Sequence, residues 1–482
     1  MKVVEDERPI RVMDGAWSTE GVIREIAAEG TQEDPFYLMD LGEVVARYHH
    51  WKELLPRVEP FYAVKCNDDK LLVSTLAALG AGFDCASKAE IELVTAVKCN
   101  DDKLLVSTLA ALGAGFDCAS KAEIELVTGL GVRPERIIFA NPAKMASHIR
   151  HASTVGVDLM TFDSETELVK IKQYMPHAQL VVRIRCDAES ALCPLGIKFG
   201  CDPITEAPRL LKLAAVFGLR VVGVSFHVGS GAQETGVYAR AIQFCRALFS
   251  LGAAAGHSMR LLDLGGGFPG HSGSSIREVA QVINAALDAN FSGCEVRVIA
   301  EPGRYFAAAA YTLAAMVHAK REIPAKDDEE GEELHTMYFI NDGVYGSFNC
   351  LLYDHQVVVP IPLQQTEGAP RSASVWGPTC DGLDCVVPRT RLPPQPLGAW
   401  LVFRDMGAYT LPVASTFNGF PVPKVRAVVD RRLWAVLKEL WPLTEAHFAE
   451  GERLAEPQTP PPSPLAPADA LPRTVFVECA LK

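Results

Sequence analysis

Lys65 and Lys98 each sit in the run AVKCN, and Lys65 closes the longer apolar run PFYAVK. A lysine ending an apolar strand is partly desolvated, which lowers its ammonium pKa and frees the amine to form a Schiff base with a carbonyl. A solvated lysine capping a strand has the same local sequence, so its companions must decide. Glu301 and Arg304 lie in AEPGR. A carboxylate there can hold a protonated pyridine nitrogen and so make a ring an electron sink. The planar guanidinium fork can clamp a phosphate; a local salt bridge of small value is the plainer alternative. GGGFPG at 265–270 matches the spacing G-x-G-x-x-G, but Pro269 and the following HSGSS delay any helix, which rejects a dinucleotide fingerprint. Its glycines still let backbone amides approach an anion closely. HVGSG at 227–231 has the same character, with Ser230 as an added donor and His227 able to lie flat on a ring or to be an ordinary core histidine. Further on, WGPTCDGLD presents Cys380, a thiol that could deliver a proton, beside Asp381. Asp354 in LLYDH and Asp381 form an acidic pair suited to a distal ammonium, or are turn residues. Tyr409 in MGAYT could reach a phosphate or pack in a core.

These residues need a frame that brings distant segments together. From Phe61 to about Ala300 short apolar runs (FYAVKC, GFDCAS, RIIFAN, LMTFD, LVVRIR, VVGVSFHV, RLLDLGGG, VRVIAEPGR) alternate with helical patterns such as SIREVAQVINAALDANF. That alternation implies parallel strands, and eight such units predict an α/β (β/α)8 TIM-type barrel, whose chemistry sits at the C-terminal ends of the strands. The candidate residues fall at those ends. After about Ala310 the runs become short, aromatic and β-branched with Gly and Pro between them, which predicts a second, mainly β domain. The expected division is an N-terminal segment over 1–36 joining the β domain, a barrel over 37–310, a C-terminal β-sheet domain over 311–450 and a Pro-rich disordered tail over 451–482. The acidic run at 326–333 reads as a solvated loop.

Residues 63–95 and 96–128 are identical in every letter. A single perfect copy is not a solenoid, which needs three or more diverged units; this is one unit present twice. A closed eight-strand barrel cannot simply accept another βα pair, because strand number and shear are linked. The expectation is that one copy is used and the other is looped out. Lys65, with its PFY lead-in, is the expected nucleophile.

The net charge of −13 disfavours nucleic acid and anionic membranes, because phosphate demands a basic face. Thirteen scattered cysteines suggest free thiols in a reducing compartment and offer no zinc spacing, so no metal is expected. No signal-peptide core or membrane span is apparent, and the cytoplasm is the default.

Taken together, PFYAVKCN, GFDCASKAEIELV, RPERIIFANP, VVGVSFHVGSG, LDLGGGFPG, AEPGRY, NDGVYGSFNC, WGPTCDGLDC, DMGAYT and STFNGF resemble, in the same order, the eukaryotic ornithine decarboxylase family of fold type IV pyridoxal-phosphate enzymes. The resemblance runs from about Phe36 to about Val422. It implies that pyridoxal 5'-phosphate is the cofactor, with Lys65 or Lys98 as its covalent anchor, Glu301 on the pyridine nitrogen and His227 on the ring. Ser230, Gly265, Gly266, Gly267, Gly303, Arg304 and Tyr409 would hold the phosphate side, with Asp84 or Asp117 and Arg183 close by. Tyr353, Asp354 and Asp381 would bind the side-chain amine of L-ornithine, and Cys380 would protonate the carbanion that leads to putrescine. The family shares its sites across a head-to-tail homodimer, with Lys198 and Asp384 as an inter-subunit ion pair. The stretch 129–152 is similar to the family's antizyme-binding segment. Two other readings remain open: a non-catalytic regulator of the antizyme-inhibitor kind, and a sister decarboxylase for arginine, lysine or diaminopimelate. Lysine differs from ornithine by one methylene, worth only ~1–3 kcal/mol in a pocket.

Overall fold

The structure is a computed structural model that describes residues 10–85, 116–129, 132–188, 196–232, 234–325 and 334–440. Lys98, the acidic loop at 326–333 and the tail after 440 lie outside the described residues, and of Asp84 and Asp117 only the backbone is described.

β1 (Ile10–Met13) and β2 (Phe36–Asp40) belong to an open sheet. β3 (Val58–Ala63), β4 (Gly82–Cys85), β5 (Phe116–Cys118), β6 (Ile137–Phe139), β7 (Leu159–Phe162), β8 (Gln179–Arg185), β9 (Arg220–His227), β10 (Leu261–Asp263) and β11 (Arg297–Ala300) are parallel and close into a barrel. Helices pack outside it at 3.6-residue spacing. The helix Arg277–Phe291, for example, buries Val279, Ala280, Ile283, Ala286, Leu287 and Phe291. Inside, Val181, Val222, Leu261 and Ile299 form a separate cluster with Phe61, Ile138 and Leu159. Seven strands thus contribute one side chain each, and the barrel is a filled core rather than a pore.

The architecture of barrel plus β domain is the expected one; the strand count is not eight but nine. Both copies of GFDC are barrel strands, paired in register as Phe83↔Phe116, Asp84↔Asp117 and Cys85↔Cys118. The idea that the spare copy's strand is looped out is therefore corrected. Identical segments carry identical strand preference, so the strand that fits between β3 and β6 fits equally beside itself.

The second sheet runs β1-β18-β2-β12-β13-β15-β16, with β12 (Tyr311–Pro324), β13 (Leu334–Ile340), β15 (Arg371–Trp376), β16 (Cys385–Leu392) and β18 (Lys424–Asp430). β17 (Trp400–Phe403) pairs with β12 and carries the two-residue β14 (Ile361–Pro362). The long β12 ties the halves together: its start pairs with β2 and β17, and after a bulge between Val317 and Ala319 its end pairs with β13. β2 lies between β12 and β18, so the boundary expected at residue 37 falls inside a strand of this sheet.

Candidate active site

The C-terminal ends of β3, β8, β9, β10 and β11 open on one rim. Val64–Cys66 forms a 3-10 turn directly after β3, and it carries Lys65, half-buried, out of the sheet. β11 pairs with β3, and the Ala63 amide donates to the Pro302 carbonyl at 3.3 Å, which sets Glu301–Arg304 beside the lysine turn. The contact is tight: a Cβ on Gly303 would lie 2.8 Å from the Cys66 Cβ. Burial pushes the Cys66 thiol up to about 12, so it is a neutral packing group beside the lysine rather than a rival nucleophile.

His227 ends β9. The Gly229 amide donates to its Nδ1 at 3.0 Å, which fixes that nitrogen as an acceptor. The glycines after β10 press against it: a Cβ on Gly266 would lie 2.7 Å from His227 Nε2 and 3.1 Å from the Glu301 carbonyl. Gly267 has a φ of +103°, and its Cβ would strike Val228 Cγ2 at 2.5 Å and the Gly229 carbonyl at 2.8 Å. Only glycine fits where three strand ends converge this closely. Asp263, almost fully buried, accepts from the Gly265 amide at 2.9 Å, and the Tyr238 hydroxyl donates to the Gly266 carbonyl at 3.0 Å. The sequence reading missed both as supports of the loop. Asp263 had a signal, an aspartate two residues before a glycine run; Tyr238, in a helix 28 positions away, had none.

Arg304 is the centre of the anion side. Its Nη2 donates to Ser230 Oγ at 2.9 Å and to Asp354 Oδ1 at 2.7 Å, and its guanidinium lies 5.2 Å from the Tyr409 ring centre. The Tyr409 amide in turn donates to the Cys66 carbonyl at 2.8 Å, closing the ring of contacts back to the lysine turn. Burial alone would lower the Arg304 pKa, but the Asp354 carboxylate overrides it and the net direction is upward. Burial raises the Tyr409 hydroxyl, which stays protonated and able to donate. Two buried polar atoms here have no partner: Arg304 Nε and Asp354 Oδ2. An unsatisfied buried donor next to a glycine cradle is a place built for an anionic group the protein does not itself supply.

Other expected residues fall elsewhere. Arg183 is half-buried near the end of β8, with its guanidinium 5.5 Å from the Phe199 ring centre. Tyr353 is 68% exposed. Cys380 is exposed on the loop between β15 and β16. Asp381 accepts from the Leu383 amide and the Tyr345 hydroxyl, which hold its carboxyl below the usual range and keep it an anion. Asp384, expected opposite Lys198 of a second subunit, is 1% exposed within one chain and accepts from the Val344 and Thr379 amides and the Thr379 hydroxyl. Those bonds staple the CDG loop.

The pattern of the pyridoxal-dependent decarboxylase family, pyridoxal binding domain, matches residues 41–97 and again 92–308, restarting within the duplicated unit. The chain is 43% identical to mouse ornithine decarboxylase over 449 residues, which covers 90% of each. This chain belongs to the pyridoxal-dependent decarboxylase family. Antizyme inhibitor 2 of Xenopus laevis is 44% identical, with 87% of this chain and 86% of that one covered. Among solved structures, the arginine decarboxylase of Paramecium bursaria Chlorella virus bound to agmatine superposes with a TM-score of 0.70 at 33% identity, covering 85% of this chain and all of that one. Pyridoxal phosphate is the family's cofactor, and the partnerless Arg304 Nε, the Ser230 hydroxyl and the glycine cradle under His227 fit its phosphate and ring. No described helix is long and apolar enough to cross a membrane.

Proposed function

We propose that the chain decarboxylates L-ornithine to putrescine and CO2 with pyridoxal phosphate, the first step of polyamine synthesis. The observation that carries the reading is the closed ring of contacts Lys65 turn–Gly303–Arg304–Tyr409–Cys66, with His227 and Glu301 both against Gly266. When bound, the cofactor supplies the sink for the electron pair left on Cα as CO2 departs. Lys65 offers its Nζ as the anchor. Glu301 holds a proton at the ring nitrogen, and His227 packs on the ring face. Ser230, Gly265–Gly267, Gly303, Arg304 and Tyr409 grip the phosphate, with Arg183 and Asp84 or Asp117 at the rim. Asp354 and Asp381 bind the distal ammonium, with Tyr353 beside them, and Cys380 returns a proton to Cα.

The reading includes a head-to-tail homodimer in which Cys380 and Asp381 serve the other subunit's site. It is supported by apolar residues left in water close in sequence to Asp354 and Asp381: Leu352, Tyr353, Val357, Val359 and Leu383. The nine cysteines whose side chains are described are all free, which suits a cytoplasmic protein.

An antizyme-inhibitor-like regulator is the second reading, favoured by the Xenopus relative and by the extra barrel strand. The same surface around 129–152 would bind antizyme in either case. The absorbance spectrum of the purified chain with pyridoxal phosphate, followed by CO2 release from L-ornithine, separates the two. A visible cofactor band, borohydride fixation of the label on Lys65 or Lys98, and turnover are expected. A colourless, inactive chain that retains antizyme in a pull-down overturns the enzyme reading.

A further inference from the structure

Arg304 and Asp354 are assigned to opposite ends of the site, one to the cofactor's phosphate and the other to the substrate's amine, yet they are bonded to each other. The pair is close, at 2.7 Å, and poorly hydrated, with side chains 14% and 7% exposed. Asp354 closes the short helix Cys350–Tyr353, its amide donating to the Cys350 carbonyl at 3.1 Å, so its backbone is anchored while its carboxylate reaches inward. The Arg304 backbone is anchored too, at the start of the helix Arg304–Ala307.

The unused atoms tell what each side awaits. Arg304 Nε is a buried donor without an acceptor, and Asp354 Oδ2 is a buried acceptor without a donor. A phosphate would satisfy the first and an ammonium the second. The two ligands are not independent, because one carboxylate and one phosphate would share a single guanidinium. While Asp354 neutralises Arg304, its charge is spent and it attracts a cationic amine weakly. Once a phosphate takes the fork, the carboxylate is released with its full charge in a poorly screened place.

We propose that the Arg304–Asp354 ion pair is a latch that couples the two ends of the site, so that a phosphate-bearing ligand on Arg304 arms Asp354 to bind the cationic amine. The proposal rests on the site reading above and adds to it an order of assembly: phosphate first, amine second. Coupling of this kind is reciprocal, so a diamine on Asp354 must tighten the phosphate by the same factor that the phosphate tightens the diamine.

Binding alone tests it, without turnover. Putrescine is titrated calorimetrically into the cofactor-free chain with and without saturating inorganic phosphate, and phosphate with and without saturating putrescine. A matching gain of about tenfold in both directions is expected, within the 5–150-fold range usual for such coupling. Equal affinities in all four titrations overturn the latch. In Asp354→Asn the competing charge is gone: phosphate should bind several-fold tighter, putrescine weaker, and the coupling factor should fall to one. If Asp354→Asn binds phosphate less tightly than wild type, Asp354 orients Arg304 for the anion and the proposal is wrong. Should that variant not fold, the wild-type titrations decide by themselves. A wild-type chain that takes neither pyridoxal phosphate nor putrescine sinks the reading of the site; one that takes both without coupling sinks only the latch.

Discussion

Excising one copy of the duplicated 33-residue unit gives a single product wherever the cut is made between residues 63 and 128, because the copies are identical. The product has one lysine at the anchor position and one GFDC strand, and its barrel should close with eight strands instead of nine. Neighbouring strands are ~4.8 Å apart and tilted by ~36°, so one strand fewer shrinks the radius by ~0.9 Å. The lysine turn after β3 and His227 after β9 lie on different walls, so groups that must meet on one small ring are drawn together by roughly 1–2 Å on that geometry. A misplacement of ~1 Å can cost about 10²-fold in rate. The excised variant should therefore bind pyridoxal phosphate more tightly than the full chain and exceed its kcat/KM for L-ornithine by about 10- to 100-fold. Cofactor titration by absorbance and trapping of released CO2 measure the two quantities, with circular dichroism confirming that both proteins are folded. A folded eight-strand variant no better than the full chain would refute the reasoning, for the ninth strand would then leave the rim undisturbed.

Three further outcomes follow from local structure. Gly267→Ala should lose cofactor binding by at least tenfold, since its Cβ meets Val228 and the Gly229 carbonyl at a φ of +103°, whereas Gly293→Ala, at a φ of +70° with open space around it, should cost only the ~1–2 kcal/mol of left-handed backbone; equal effects in cofactor titration would argue against a steric cradle. Burial raises the Asp342 carboxyl to about 6, above its unfolded value of 3.8, so the stability it contributes is full below pH 3.8 and is lost as pH rises through 6. Asp342→Asn keeps an oxygen for the Gly343 and Ser347 amides and should gain roughly 2–3 kcal/mol in urea unfolding at pH 7.5 but nothing near pH 4; a loss at pH 7.5 would contradict this. Lys144 is fully buried against Glu167 at 2.8 Å and the Thr161 carbonyl at 2.6 Å; Lys170 also meets Glu167, at 2.5 Å, so removing Lys144 leaves the buried carboxylate partly compensated and should cost the lower end of the range for a broken buried pair, about 3 kcal/mol. Lys144→Met should show that loss in denaturant melts, and the double change Lys144→Met/Glu167→Leu should recover most of it.

What could be read from the residues alone was set by the range of the interaction involved. Strands β8 to β11 follow from apolar runs with turn residues at their ends, and the glycines at 265–267 follow from the need for close backbone approach; both are local properties. FYLMD at 36–40 is as apolar as a barrel strand, and its neighbours along the chain do not say which sheet it joins. Pairing with β12 and β18, hundreds of positions away, decides that. The ninth strand was hidden for the same reason, since closure belongs to the whole ring while strand preference belongs to four residues. Charges behave alike. The types of Arg304, Asp354 and Asp384 suggested ligands and partners, but Arg304 meets Ser230 across 74 positions and Asp354 across 50, while Asp384 turns inward to Val344 across 40. A buried charge must find its counterpart wherever the fold supplies one. The chemistry of such a residue is therefore legible before its partner is, and the partner decides whether it waits for a ligand, as at Arg304 Nε, or is consumed by the fold, as at Asp384.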